Sequence, residues 1–470
     1  MKPMDRPNFL LIMTDQQRGD CLGVEGHPVL MTPNMDGIAN AGVRFRRAYS
    51  TCPVCIPARR SLMSGQFPAT HGMVAYQDGV AWDAPPTLPG VLRDAGYQTV
   101  LVGRNMHQFP VRKRFGFDQM IGHDDYYPWL EQNAPHDSGG WFGGGVTHND
   151  WTARPWHLDD HLHFTNWTVN RSLEFLEERD PSCPFFLVVS FIAPHPPLQP
   201  PAFYMDRYLR TGVPPPVIGD WASLPGPASA GNDSVAPGKL NLTGEALRSC
   251  RAAYYGLINH VDDQIRRLLN PVIGIQKMTG NNTVVLFTSD HGEMLGDHYR
   301  WRKSLPYEPA ARIHLLVSAP ARFGLRVGSV PEQPVCLEDI MPTVLDMAGV
   351  KIPDTVDGQS LFPLLRGEQP SWRSHLHIEN APNHHALTDG REKFIWLAHD
   401  GSEQFFDLTS DPTECRNLIS DPTWGARIGI WRNRLIAQLK DRPEGFTDGK
   451  RLIPGRPYKT LLPHAVPSVG

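Results

Sequence analysis

Residues Phe9-Leu10-Leu11-Ile12-Met13-Thr14, followed at once by Asp15-Gln16, form the stretch on which the fold turns. The run is apolar without alternation, as a strand reads when both of its faces are covered. Four more runs share that character: residues 99–103, 185–191, 283–289 and 314–318. They read together as buried parallel strands. Between them lie segments with apolar residues at helical spacing. In residues 245–269, Leu247, Tyr254, Leu257, Ile258, Val261, Ile265 and Leu268 share one face. Residues 337–348 form another such segment, stopped by Gly349. Buried strands alternating with amphipathic helices predict an α/β fold, with a large doubly wound, mostly parallel sheet flanked by helices.

The texture changes near residues 367–371. From 375 to 407 short strand-like runs are separated by Thr388-Asp389-Gly390 and His399-Asp400-Gly401, which are hairpin signals. This predicts a large domain over residues 1–370 and a small antiparallel α+β subdomain with a tail over 371–470. Two stretches lack a period: 110–171, rich in Gly, His, Trp and Asp, and 196–238, rich in Pro and Gly. Both are too long for connectors and read as functional loops.

The chain has 470 residues, 40% hydrophobic and 20% charged, with a formal net charge of -4. That is a globular composition with no basic footprint for nucleic acid. The apolar stretch at 9–13 is too short for the core of a signal peptide, and nothing approaches the ~20 apolar residues of a membrane span. Seven cysteines, an odd number without regular spacing, suit a reducing compartment, so a cytoplasmic location is expected. A homo-oligomer is compatible with this composition.

Polar residues collect where the strands end. Asp15 and Gln16 follow the first, Arg104 and His107 the second, His195 within Pro194-His195-Pro196 the third, and Asp290-His291-Gly292 the fourth. Ligands of open α/β sheets bind beyond the carboxyl ends of the strands. One aspartate there could merely cap the next helix; four such endings exceed what capping explains. Two carboxylates and an imidazole from Asp15, Asp290 and His291 suit a divalent cation.

One further run carries chemistry: Cys55-Ile56-Pro57-Ala58-Arg59-Arg60-Ser61-Leu62-Met63-Ser64-Gly65. Pro57 suits a first helical turn and Gly65 a helix stop, which puts Cys55 at a helix N-terminus, where an anion is favoured. Arg59 lies one turn on and can reach the same spot. From these residues alone Cys55 could also be a buried packing residue or a low-pKa thiol. Cys52-x-x-Cys55 could also serve redox or zinc chemistry, although the remaining cysteines are scattered singly.

The C-x-P-x-R run resembles the signature of the type I sulfatases of the alkaline phosphatase-like superfamily, whose cysteine is oxidised to Cα-formylglycine by a formylglycine-generating enzyme. The resemblance runs from Pro7 to Leu408 and includes Thr32-Pro33-Asn34-Met35-Asp36 and Asp357-Gly358-Gln359-Ser360-Leu361. It implies one divalent metal, calcium by family default with manganese or magnesium as alternatives, held by Asp15, Gln16, modified Cys55, Asp290 and His291. Many sulfatases carry Asp-Asp where this chain has Asp15-Gln16; Asp-Gln resembles the choline sulfatase and phosphonate monoester hydrolase branches. Lys303, in Lys303-Ser304-Leu305-Pro306-Tyr307-Glu308, matches the lysine that binds sulfate, and His195 matches the histidine that protonates the leaving oxygen. Arg104 stands at a lysine position, with His107 after it. The implied reaction is hydrolysis of a small-molecule or saccharide sulfate ester, the alternative being a phosphonate monoester or phosphodiester. Of the tryptophans at 129, 141, 151, 156 and 167, most are expected to pack the loop 110–171 onto the domain, while that loop and the segment 196–238 are expected to wall the substrate pocket; sugar sulfates and choline sulfate are the leading substrates.

Overall fold

The structure is a computed structural model that describes residues 6–225, 238–270, 275 and 282–466. Eight strands form the principal sheet: β1 (Asn8–Asp15), β2 (Val43–Tyr49), β3 (Gln98–Gly103), β4 (Gln119–Ile121), β5 (Phe185–Pro194), β6 (Thr283–Ser289), β7 (Arg312–Ser318) and β8 (Val335–Cys336). Their order is β4-β3-β5-β1-β6-β7-β2-β8, so β1 lies in the interior of the sheet. It pairs in parallel with β5 and with β6.

The predicted double coverage is visible in β1 itself. Leu10 and Ile12 pack with Leu257, Ile258, Val261 and Ile265 of the helix Gly244–Leu269. Phe9, Leu11 and Met13 pack on the opposite face with Leu62, Met63, Ile340 and Val344. Each side chain so buried contributes on the order of 1.5–3 kcal/mol, which is why the strand carries no polar residue between Asn8 and Thr14.

Two features depart from the sequence reading. The run at 314–318 belongs to β7, which is antiparallel to both neighbours, β6 and β2. Two-sided burial makes a strand apolar but does not encode its direction. Strand β2 was not foreseen, because Arg44, Arg46 and Arg47 interrupt its apolar residues; Arg44 and Arg46 turn outward to Glu25.

A second sheet has the antiparallel order β12-β11-β10-β9, from β9 (Leu376–Asn380), β10 (His384–Thr388), β11 (Glu392–Leu397) and β12 (Glu403–Asp407). Gly390 (φ 78°) and Gly401 (φ 81°) take the left-handed conformation in the two anticipated turns. One face holds Leu387, Phe394 and Trp396 against Trp431 and Leu435 of the helix Gly425–Gln438. The other packs Ile378, Ile395 and Phe406 on Tyr49, Met294 and Tyr307 of the larger body.

The stretch 110–171 is more ordered than its sequence suggests. It contains the helix His123–Asn133, whose Pro128 breaks the expected pattern, and the start of the helix Phe164–Glu178. Trp141, Trp156 and Trp167 are buried with Tyr126, Leu130 and Phe164. These three tryptophans pack the segment; Trp151 instead meets Trp301 with the rings tilted at 48° and their centroids 6.3 Å apart. Of the stretch 196–238, residues 226–237 lie outside the described residues. Among the described residues no helix is long and apolar enough to cross a membrane.

Candidate active site

The ends of β1, β5, β6 and β3 converge on the N-terminus of the helix Cys55–Ser64. Val54 precedes that helix in extended conformation and offers no side-chain cap, while Gly65 (φ 66°) ends it as expected. All ten helical residues are buried. Beyond β1, Gln16 adopts φ 71° and turns the chain sharply, so that Asp15 and Gln16 both face the helix start. Gly103 is required at the end of β3: its φ is 102°, and a Cβ there would lie 2.1 Å from the carbonyl oxygen of Ser190. Lys303 sits between two residues in left-handed backbone, Arg302 (φ 69°) and Ser304 (φ 66°). The Ser304 N–H donates to the Pro53 carbonyl at 2.8 Å, which ties the lysine segment to the approach to Cys55.

Asp15, Cys55, Asp290 and His291 each aim one donor atom at a common point, and these atoms all lie within 4.8 Å of one another. Sγ of Cys55 is 3.3 Å from Nε2 of His291 and 3.8 Å from Oδ1 of Asp15. Nδ1 of His291 donates to the Gly292 carbonyl at 3.0 Å, which points Nε2 at the two carboxylates, 3.8 Å from Asp15 and 3.5 Å from Asp290. Two carboxylates and an imidazole nitrogen, all buried, form a donor set that fits a divalent cation. Gln16 borders the cluster: its Oε1 accepts from Nζ of Lys303 at 2.8 Å, and its Nε2 donates to Glu293.

Three cationic side chains surround this cluster. Arg59, wholly buried, donates from Nη2 to Asp15 (3.2 Å) and from Nε to Asp290 (3.0 Å). Its Nη1 reaches the Asn105 carbonyl at 3.0 Å and Ser190 Oγ at 3.2 Å. Arg104 donates to Asp15 at 3.2 Å and to Nε2 of His107 at 3.0 Å. Lys303 Nζ lies 3.2 Å from Sγ of Cys55. His195 hangs from the same frame: its backbone N–H donates to the Asp15 carbonyl at 3.1 Å, and its Nδ1 donates to the Pro196 carbonyl at 2.6 Å.

The electrostatics follow from this packing. Burial pushes the Asp15 carboxyl up, but His195, Arg59, Arg104 and Lys303 outweigh it and hold Asp15 well below the usual carboxylate range. Burial and Asp15 push the Cys55 thiol up, yet Lys303 and His291 bring it below its ordinary value. Burial, reinforced by Lys303, drives His195 well below an ordinary histidine. Burial and the adjacent Arg104 do the same to His107. The site is therefore a pocket of fixed positive charge with two buried carboxylates at its floor, suited to a tetrahedral oxyanion.

Every catalytic or metal-ligating residue expected from the sequence lies in or beside this cluster. Cys52 does not: its Sγ accepts from Asn380 at 3.6 Å, away from the donor atoms, so the Cys-x-x-Cys spacing does not bring two thiols to one ion. Sequence reasoning passed over Ser190, Asn105 and Glu293. Ser190 and Asn105 carry no local signal, because their contacts with Arg59 join segments 131 and 46 residues apart in the chain. Glu293 is visible in Asp290-His291-Gly292-Glu293, three residues past the first acid.

Comparison with known proteins agrees with this geometry. The sequence model of the sulfatase family matches residues 7–350, and that of the N-sulphoglucosamine sulphohydrolase C-terminal region matches residues 296–441. An arylsulfatase of Clostridium perfringens is 41% identical, with 97% of this chain and 99% of the relative covered. A choline-sulfatase of Rhizobium meliloti is 29% identical, covering 89% of this chain and 83% of the relative. The crystal structure of the phosphonate monoester hydrolase of Agrobacterium radiobacter superposes with a TM-score of 0.77 at 25% identity, covering 97% of this chain and 100% of that one. With the family matched over most of its length and the donor cluster at the expected strand ends, the chain belongs to the sulfatase family.

Proposed function

We propose that this sulfatase hydrolyses sulfate monoesters through a formylglycine formed at position 55 and a divalent cation, calcium by family default, at the donor cluster. The observation that carries the reading is the Cys55 side chain at an uncapped helix start, 3.2 Å from Lys303, 3.3 Å from His291 and 3.8 Å from Asp15. Sγ stands for the oxygens of the modified residue. When present, the hydrated aldehyde supplies one hydroxyl to attack sulfur and a second whose loss of a proton expels sulfate and restores the aldehyde. Asp15, Asp290, His291 and the residue 55 oxygen, with the Gln16 carbonyl beside them, would hold the cation, which would supply positive charge to the reacting anion.

The chain's own groups do the rest. Asp15 Oδ1, 3.8 Å from Sγ of Cys55, is a carboxylate acceptor for the proton of the attacking hydroxyl. Arg59 holds both carboxylates in place, and Lys303 meets charge on the sulfuryl oxygens. His195 has Nδ1 fixed on the Pro196 carbonyl, so Nε2 is its free nitrogen, and proton delivery to the leaving oxygen runs through that atom. Its depressed basicity makes proton delivery the weak part of the site, which favours leaving groups that need little protonation, such as phenols. The arylsulfatase relative supports the same preference.

A second reading, hydrolysis of phosphonate monoesters or phosphodiesters, is favoured by one observation: Gln16 stands where many sulfatases place a second acid. Relative rates on an aryl sulfate and a phenyl phosphonate ester decide between them. The formylglycine is tested by the intact mass of the peptide containing residue 55. Conversion removes about 18 Da, whereas the thiol oxidation ladder adds oxygen and raises the mass. An unmodified, fully active enzyme overturns the mechanism.

A further inference from the structure

Glu293 is 5% exposed and lies outside the donor cluster. Its two carboxylate oxygens serve different partners. Oε1 accepts from the backbone N–H groups of Leu295, at 2.9 Å, and of Arg302. Oε2 accepts from Nε2 of Gln16. The Gln16 amide is thereby turned so that its oxygen receives Nζ of Lys303 at 2.8 Å, and the same ammonium stands 3.2 Å from Sγ of Cys55.

We propose that Glu293 is a positioning residue for the sulfate-ester reaction: it fixes the rotation of the Gln16 amide and, through that amide, holds Lys303 against residue 55. The inference rests on the roles of Lys303 and residue 55 proposed above. An amide has one accepting end and one donating end. Turned over, Gln16 would present its NH2 to the lysine ammonium, donor against donor. That rotation is excluded only if the group behind Gln16 can accept and cannot donate. An ionised carboxylate meets the condition, and with Oε1 already engaged by two N–H groups, Oε2 is the oxygen left for Gln16. The Arg302 N–H adds a second connection, because it anchors the residue next to Lys303 on the same carboxylate. In this chain the negative charge that an acid at position 16 would bring therefore sits one side chain further back, at 293.

An isosteric exchange tests the idea. Glu293→Gln keeps the shape but adds a donor. Its oxygen stays with the Leu295 and Arg302 N–H groups, so its NH2 faces Gln16. Gln16 then turns its oxygen toward 293 and its NH2 toward Lys303, which pushes the ammonium away. Gln16→Glu sets one buried carboxylate against another. The double variant restores a donor–acceptor pair in reversed order, with the new glutamate accepting from both the residue at 293 and Lys303.

Two readouts are needed: turnover of p-nitrophenyl sulfate and calorimetric titration with inorganic sulfate. Each single variant is expected to lose ~10–100-fold in kcat/KM, the usual scale for a group that orients a catalytic one, with a parallel rise in the sulfate Kd. The double variant should return to within about 5-fold of the parent, the signature of a coupled pair. In a Lys303→Ala background, Glu293→Gln should add nothing further. The proposal is overturned if the double variant is no better than the worse single one, or if Glu293→Gln keeps its full penalty without Lys303. Should Gln16→Glu not fold, the Lys303→Ala comparison decides alone. If the parent binds sulfate yet hydrolyses no sulfate ester, the proposed activity fails, and the sulfate titrations still decide the role of Glu293.

Discussion

Arg59→Met removes the guanidinium that joins the two buried carboxylates while leaving an unbranched apolar side chain of similar length. Arg59 is wholly buried, as are Asp15 and Asp290, so no solvent replaces the lost charge. Breaking one buried pair by deleting a partner costs about 3–5 kcal/mol. Two pairs are broken here, but the costs do not add. Arg104 still contacts Asp15 at 3.2 Å and offsets part of the loss. A loss of about 3–5 kcal/mol in the metal-free protein, read by urea unfolding at pH 7, is therefore expected. The pH dependence has a definite sign. The folded Asp15 carboxyl lies well below its ordinary value, so its stabilisation is complete above the unfolded carboxylate range and is lost as pH falls through the depressed folded value. Without Arg59 that depression shrinks, and acid unfolding should begin at higher pH. Calcium should recover part of the loss, about 2.7 kcal/mol at a concentration 100 times its Kd, because it supplies the missing positive charge. A variant within about 1 kcal/mol of the parent, with an unmoved acid transition, would refute the view that Arg59 neutralises the site floor.

Three further outcomes are expected. Asp290→Ala should weaken calcium binding by at least ~10–100-fold in calorimetry and abolish turnover with it; full activity in thoroughly chelated parent enzyme would contradict the cation's role. His195→Ala should lower kcat/KM for an alkyl sulfate by ~10²–10⁴-fold, with a far smaller effect on p-nitrophenyl sulfate, whose leaving group needs no proton; equal losses on both would remove His195 from proton delivery. Replacing Trp141, Trp156 or Trp167 by alanine should cost ~3–5 kcal/mol of stability, the scale for emptying a buried aromatic site. Trp151→Ala should instead be read by KM, and an unchanged KM for every ester tried would take Trp151 out of the substrate wall.

The parts legible in the sequence were those that repeat locally. A strand covered on both faces must be apolar along its whole length, so β1, β3, β5 and β6 could be read within a residue or a few of their observed ends. The residues bearing the chemistry followed directly from those ends, because backbone leaving a sheet is the nearest place where buried polar groups can face a ligand. Strand β2 was hidden by arginines whose charges leave toward Glu25, a partner about 20 residues away that no local period reveals. The helix His123–Asn133 was hidden by Pro128.

By itself, then, the sequence determined the alternation of strands and helices, the helix start at Cys55 and the donor types at Asp15, Asp290 and His291. Only the tertiary structure decided that β7 runs against its neighbours, that Cys52 points away from Cys55, and which of the tryptophans between 110 and 171 serve packing. It also decided that Gln16 stands between Glu293 and Lys303, contacts that span 277 and 287 residues. The physical reason is the range of the forces involved. Burial on one face or two is imprinted residue by residue on the chain, whereas strand direction, amide orientation and the pairing of buried charges depend on which distant segments meet.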